Sequence, residues 1–182
     1  MNKHHGLTLI ELLSTIAIVG ILLTVALPSF STMIKDNKLV TAINQMSTLT
    51  AFARSEAIKR NNDVTICRSV SNSNCSATGN NIIVKSDNNN DGDFTDAGDE
   101  MIRTFELIQA NSQITLYFQG FTSSQITFTP TGLSTQTGRI EICDSRGKNY
   151  AKARIINIGG QLRAPNSSSA AGNSEKAIIT CT

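Results

Sequence analysis

The chain has 182 residues, a length that allows one domain plus an anchor and excludes two sizeable domains. Its formal net charge of +2 does not indicate a general polyanion binder, although six acids and no base lie between Asp87 and Glu100. Only three prolines and twelve glycines exclude a collagen-like chain and argue against a wholly disordered one.

The first predicted element is an apolar helix at residues 7–28. Its 21 apolar-rich residues from 7 to 27 would span about 31 Å, the thickness of a bilayer's hydrocarbon core. The segment is longer than the apolar part of a cleaved secretory signal and follows Lys3, so the residues alone predict a signal anchor. One acid, Glu11, lies inside it, and a charge at the centre of a membrane helix costs roughly 2.5–3.5 kcal/mol.

The order "GLTLIE" at residues 6–11 resembles the class III signal of type IV pilins and pseudopilins. The resemblance implies that residues 1–6 are a prepilin leader, which a prepilin peptidase removes between Gly6 and Leu7 before methylating the new N-terminus. The freed amine would lie one turn from Glu11 and neutralise its carboxylate, within the chain or between neighbouring subunits. By the same resemblance Glu11 guides filament assembly and Pro28 occupies the helix-kinking position.

Residues 29–62 are predicted to continue the helix as an amphipathic segment. Apolar residues recur there at steps of three and four and form one stripe that faces a core. They are Leu39, Ala42, Ile43, Met46, Leu49, Ala53 and Ala57. Asn61 and Asn62 are helix stop signals.

Residues 63–163 are predicted to form a β-rich head, and residues 164–182 a polar C-terminal tail. Seven short segments in the head are rich in Ile, Val, Thr and aromatic residues and are separated by Asn, Asp, Ser and Gly clusters. Two of them, residues 125–128 and 139–143, alternate apolar and polar side chains as half-buried antiparallel strands do. The predicted fold class is therefore α+β, with a long N-terminal helix packed on an antiparallel head of about seven strands.

Four stretches narrow the resemblance to the GspH/FimT-like branch of minor pilins and pseudopilins. They are "ARSEAIKRNNDVTICRS", "IIVKSDNNNDGDFTDAGDEMIRTF", "FTPTGLSTQTGRIEICDSRG" and "ARIINIGGQLRAP". The resemblance covers about residues 7–163 and implies a pilin-like head near the tip of a type IV pilus or a type II secretion pseudopilus. It also implies a place in the bacterial inner membrane, with the head in the periplasm, until the filament assembles.

The implied partners are the prepilin peptidase and other major and minor pilins or pseudopilins. One subgroup of the family binds double-stranded DNA during natural transformation. The alternative is a GspH-type pseudopilin that acts purely structurally in type II protein secretion. An enzyme with a small-molecule substrate is not expected, because both histidines, His4 and His5, lie in the leader and leave with it.

The four cysteines indicate an extracytoplasmic head, because none forms a CxxC or a Cys/His zinc pattern. Four cysteines allow three connectivities. We favour Cys67–Cys75 as a local clip, since seven residues intervene, and Cys143–Cys181 as a staple for the tail. The second bond would close a long loop and contribute roughly 2–4 kcal/mol.

No metal or other cofactor is expected, with one calcium hypothesis left open in the acidic segment. Asp87, Asn89, Asp91 and Gly92 fit positions 1, 3, 5 and 6 of an EF-hand-type loop. The twelfth position, which requires a bidentate acid, falls on Gly98. The alternative is an ordinary Asn/Asp/Gly connection between two strands.

The basic C-terminal region carries the question of DNA binding. The DNA-binding subgroup has a Gly-Arg-x-Arg motif, and here "GQLR" matches at Gly160 and Arg163 but has Gln161 in place of the first arginine. The remaining charge would come from the preceding hairpin, at Arg146, Lys148, Lys152 and Arg154. Such residues would neutralise phosphates without reading sequence. The alternative is a solvated face that keeps the head soluble.

Overall fold

The computed structural model describes residues 8–71, 74–76, 79, 81–89, 91–94, 98–106, 114–165 and 181. The chain forms two units, Met1–Lys38 and Leu39–Thr182. Helix α1 (Leu9–Arg60) begins in the first unit and ends in the second.

Within the first unit, α1 exposes its apolar side chains. Leu9 is 76 % exposed and Ile21 68 %, so the described residues of this unit form no core around them. The helix is long and apolar enough to cross a membrane, with a mean hydropathy of 2.4 in its most apolar window. The hydroxyls of Ser14, Thr15 and Thr24 donate to helix carbonyls three residues back at 2.7–2.9 Å. These donors are therefore satisfied without water, which lowers their cost in hydrocarbon.

Within the second unit, α1 buries the predicted apolar stripe. All seven stripe residues, from Leu39 to Ala57, are at most 3 % exposed. The helix ends at Arg60, and Asn61 takes a left-handed φ of 57°, a conformation that asparagine tolerates better than most residues. Arg60 donates to Glu56 at 2.7 Å and to Glu100 at 2.8 Å, which joins the end of α1 to a strand. The hydrogen bond from Arg60 lowers the pKa of both carboxyls.

The described part of the chain contains eight strands in two four-stranded antiparallel sheets. The strands are β1 (Val64–Ser69), β2 (Asn81–Ser86), β3 (Glu100–Glu106), β4 (Thr115–Gln119), β5 (Gln125–Phe128), β6 (Gly138–Cys143), β7 (Lys152–Ile156) and β8 (Leu162–Arg163). One sheet has the order β3-β2-β1-β5 and the other β4-β6-β7-β8. The predicted α+β fold with about seven strands is confirmed. The division of the strands into two sheets was not predicted from the sequence.

One hydrophobic cluster joins both sheets to the α1 stripe. Ile66 and Phe128 enter it from the first sheet, and Leu116 and Ile140 from the second, each with no exposed surface. Burying side chains of this size stabilises the fold by roughly 1.5–3 kcal/mol each. The cluster explains why two short-stranded sheets and a helix fold as one unit.

The second sheet also buries an ion pair on the face that points away from this cluster. Strand alternation places Ile140 and Ile142 of β6 toward the core and Arg139 and Glu141 on the opposite face. Arg139 is 8 % exposed and Glu141 is fully buried, and Arg139 Nε lies 2.5 Å from Glu141 Oε1. A buried carboxylate survives only because a cation compensates it.

Two disulfides fasten the second unit. They join Cys67 to Cys75, with Cα atoms 5.4 Å apart, and Cys143 to Cys181, with Cα atoms 5.8 Å apart. This is the pairing that the sequence favours. Cys143 ends β6 on the same face as Glu141, so the second bond attaches Cys181 beside the buried ion pair.

Candidate functional site

The predicted processing residues Gly6 and Leu7 lie outside the described residues. Pro28 lies within α1, and its side chain is not described. Glu11 lies in the first turn of α1 and is therefore the predicted assembly residue whose contacts can be given.

Glu11 forms a capping box with Thr8. The backbone N–H and the hydroxyl of Thr8 donate to Glu11 Oε2 at 2.9 and 3.0 Å, and the Glu11 N–H lies 3.4 Å from Thr8 Oγ1. Reciprocal bonds of this kind satisfy donors at a helix N-terminus that otherwise lack a partner. They also direct the carboxylate toward the N-terminal end of the helix. The Thr-x-x-Glu spacing is typical of such a cap. The sequence analysis missed it because it considered only the charge of Glu11.

Arg146, the first of the predicted DNA-binding residues, is neutralised within its own turn. Its Nε and Nη2 donate to Asp144 Oδ2 at 2.9 and 2.7 Å, and its guanidinium lies 4.2 Å from the ring centroid of Tyr150. A carboxylate and an aromatic face thus already occupy the cation. Asp144, two residues earlier, was the signal for this pairing.

The remaining predicted DNA-binding residues are divided between two faces of the second sheet. Lys152 and Arg154 alternate on β7 with Ala153 and therefore share one face. Arg163 on β8 pairs with Ile155, which places it on the opposite face. Lys148 lies exposed in the turn between β6 and β7. The structure brings Lys152 and Arg154 together and separates Arg163 from them.

Gly160, which matches the family motif, is required by backbone packing. It has a φ of 70°, and a Cβ added there would lie 2.6 Å from the carbonyl oxygen of Gly132. The turn before β8 is closed by the Gly160 N–H on Asn157 O at 2.9 Å and the Gln161 N–H on Asn157 Oδ1 at 3.0 Å. The glycine therefore sets the geometry of the turn, whether or not a ligand binds Arg163.

The acidic connection between β2 and β3 is held by its own polar groups. Asp87 Oδ2 accepts the Gly92 N–H at 2.9 Å, and Asp91 accepts the Asn89 amide at 2.9 Å. Burial, followed by the nearby Asp87 charge, raises the pKa of Asp63 beside it. Within the described residues, no group of three or more His, Cys, Asp or Glu side chains is placed to hold a metal. Calcium binding by this segment stays an open hypothesis, and the absence of a cofactor stays the prediction.

A buried lysine supplies positive charge to the same connection. Lys85 on β2 is 3 % exposed, and its Nζ contacts the carbonyl oxygen of Phe94 and lies 3.4 Å from Asp99 Oδ2. A buried ammonium needs such acceptors. The sequence analysis did not single out Lys85, and strand alternation gave no signal for its burial.

A cavity of about 630 Å³ lies between the C-terminal part of α1 and the turn that leads into β8. Its lining residues are Ser47, Thr50, Ala51, Arg54, Ser55, Ile58, Gly160, Gln161 and Leu162. Arg54 Nε is buried and has no hydrogen-bond partner among the described residues. The sequence analysis did not single out Arg54.

Two family models match the chain. Type II transport protein GspH matches residues 42–160, and the prokaryotic N-terminal methylation motif matches residues 1–27. No curated protein matches.

Solved structures match this chain at low identity, and those with a TM-score above 0.5 share its fold. Two crystal structures of the Pseudomonas aeruginosa type IV minor pilin FimU match at TM-scores of 0.54 and 0.51, with 19 % and 17 % identity. They cover 75 % and 73 % of this chain and 95 % and 97 % of theirs. The minor pseudopilin EpsH of the Vibrio cholerae type 2 secretion system matches at 15 % identity and a TM-score of 0.46, covering 71 % of this chain and 97 % of its own.

Proposed function

Because the chain belongs to the GspH family of type II transport proteins, we propose that it is a minor pilin or pseudopilin of a type IV pilus or a type II secretion pseudopilus. Its role is structural: it joins the filament near the tip through its N-terminal helix. The FimU structures support the shared fold of the head.

Processing is the first step of the proposal. A prepilin peptidase cuts between Gly6 and Leu7 and methylates the new N-terminus, as the match to the methylation motif over residues 1–27 supports. The chain stays anchored in the inner membrane, with its head in the periplasm, until it is incorporated into a filament with other pilins or pseudopilins.

One observation carries the assembly proposal: α1 exposes the apolar side chains between Leu9 and Leu23 and has one acid, the capped Glu11, among them. The described residues form no core around the large apolar side chains between Leu9 and Leu23, so lipid or neighbouring helices must cover them. The cap on Thr8 aims Glu11 toward the N-terminal end, the side on which processing would create an amine. A membrane anchor alone would not need an acid at this position.

Mass spectrometry of the protein purified from its native host tests the processing step. We expect the N-terminal peptide to begin at Leu7 and to carry one added methyl group. The same chain made in a host without a prepilin peptidase is the control and should retain residues 1–6. A native N-terminus that still contains Met1 to Gly6 would contradict the assignment.

Deleting the gene that encodes this protein distinguishes a role in a type IV pilus from a role in a secretion pseudopilus. A type IV pilus role predicts loss of piliation or transformation with protein secretion intact. The secretion role, the structural alternative without nucleic-acid binding, predicts the reverse.

DNA binding is the second candidate function, and it is favoured by two partly exposed cations, Lys152 and Arg154, that lie close together on β7. We expect full-length protein in neutral detergent to retard duplex DNA at low salt, with affinity falling as salt rises. Replacing both residues by glutamine should abolish the shift. Arg146→Gln is the matched control and should change little, because Asp144 already neutralises Arg146. No shift at low salt would leave the structural role alone.

A further inference from the structure

A lysine of the first sheet lies buried against a carboxylate, on the face that points away from the hydrophobic cluster. Val84 of β2 belongs to that cluster, so strand alternation places its neighbour Lys85 on the opposite face. The Lys85 side chain is 4 % exposed, the Asp99 side chain has no exposed surface, and Lys85 Nζ lies 3.4 Å from Asp99 Oδ2. The amine and the carboxyl group therefore meet where little water reaches them.

The connection between β2 and β3 also holds the amine in position. The carbonyl oxygen of Phe94, a residue of this connection that is itself buried, accepts a hydrogen bond from Lys85 Nζ. A neutral amine has two N–H groups and one lone pair, so donation to Phe94 leaves the lone pair free to point at Asp99. Well-oriented reactions within one molecule reach effective molarities of about 10⁵–10⁸ M.

Burial makes an uncharged product favourable at this place. An ion pair here has lost the water that would solvate both of its charges. An amide formed from the two groups would carry no charge. Its N–H could keep the hydrogen bond to Phe94 that Lys85 Nζ makes now. The surroundings of Lys85 and Asp99 therefore favour condensation.

We propose that Lys85 and Asp99 join in an isopeptide bond within the folded head. A proton first passes from the ammonium to the carboxylate across their contact. The amine then attacks Cγ of Asp99, so that the Nζ–Cγ bond forms and the bond from Cγ to the hydroxyl oxygen breaks. The hydroxyl leaves as water with one hydrogen of the amine. No oxidant, reductant or other co-reactant is needed.

The bond would be a second covalent link on this face of the first sheet. Cys67 pairs with Ile83, two residues before Lys85 on β2, so the Cys67–Cys75 disulfide lies on the same face. The isopeptide bond would attach the β2–β3 connection to β2, and unlike the disulfide it would persist under reducing conditions. This inference goes beyond the proposed filament role and does not depend on it.

Mass spectrometry of the full-length protein, reduced and denatured, tests the proposal, because an ion pair does not survive denaturation. We expect the chain to be lighter than its reduced sequence by one water molecule. Trypsin does not cut after a lysine whose amine is acylated, so residues 69–103 should appear as one peptide that lacks one water. Separate peptides of residues 69–85 and 86–103, both of unmodified mass, would overturn the proposal.

Two other sites in the chain make the peptide map specific. Asp91 precedes Gly92, and an aspartate before a glycine can also lose water, as a succinimide. Water lost only from a separate peptide of residues 86–103 would therefore count against the isopeptide bond. Lys59 is the internal control, because its Nζ lies 3.5 Å from Glu56 Oε1 but its side chain is 75 % exposed. Trypsin should cut after Lys59 as usual.

Lys85→Arg is the matched variant, since a guanidinium keeps the positive charge but does not condense with a carboxyl group. Its mass should equal that of its reduced sequence. A Lys85→Arg chain that still lacks one water in residues 69–103 would contradict the proposed bond. If this variant does not fold, the peptide map of the unaltered chain decides alone.

Discussion

Replacing Glu11 by leucine is expected to leave the chain in the membrane and to remove it from filaments. The apolar helix would insert as well or better, because an acid that costs roughly 2.5–3.5 kcal/mol at a helix centre is gone. Assembly would lose the carboxylate that compensates a processed N-terminal amine, its own or a neighbour's. Immunoblots of sheared filaments against membranes should show incorporation lowered by roughly tenfold or more, as expected for one uncompensated charge.

Thr8→Val is the control that separates the charge of Glu11 from its position. This variant removes the hydroxyl that donates to Glu11 at 3.0 Å and keeps the backbone donor at 2.9 Å. Incorporation should fall less than in the leucine variant, since a lost cap costs about 1 kcal/mol. Filaments that contain the Glu11→Leu chain in normal amounts would refute the electrostatic role.

Glu141→Leu is expected to give the largest loss of stability. It removes the carboxylate with which the buried Arg139 pairs, and breaking such a pair from one side costs about 3–5 kcal/mol. Far-UV circular dichroism of the full chain in detergent should show a melting temperature lower by roughly 10 °C, on the scale of 2–4 °C per kcal/mol.

The double variant Arg139→Leu/Glu141→Leu provides the control. Replacing both partners by apolar residues leaves no unpaired buried charge on that face of the sheet, so most of the lost stability should return. A double variant less stable than the single one would show that the two side chains act independently and that their pairing does not hold the second sheet.

Local patterns predicted the elements of this fold. The apolar stripe of α1 from Leu39 to Ala57 follows the helix period, and Ile140 and Ile142 follow the strand period, so short windows of sequence suffice for both. The grouping of strands into two sheets does not follow from such windows. Val64 of β1 pairs with Phe128 of β5, and nothing local to either strand encodes a partner so distant in the chain.

Register explains why the basic residues were predicted as one set and found as several. Arg154 and Arg163 lie on opposite faces because the turn through Gly160 pairs Arg163 with Ile155. A shift of one residue in that pairing would reverse the result, and composition cannot fix it.

The sequence by itself determined the N-terminal signal, the membrane-length helix with one acid, the amphipathic stripe and a disulfide-bonded head. Each depends on spacing within a few residues or on composition. Only the tertiary structure decided which charges are buried and which are available: Lys85 and Glu141 are buried, whereas Arg54 borders an open cavity. Burial depends on contacts with residues distant in sequence. The local sequence around a charged strand residue therefore does not show whether its side chain is buried, and only the packing of the sheets against the helix decides it.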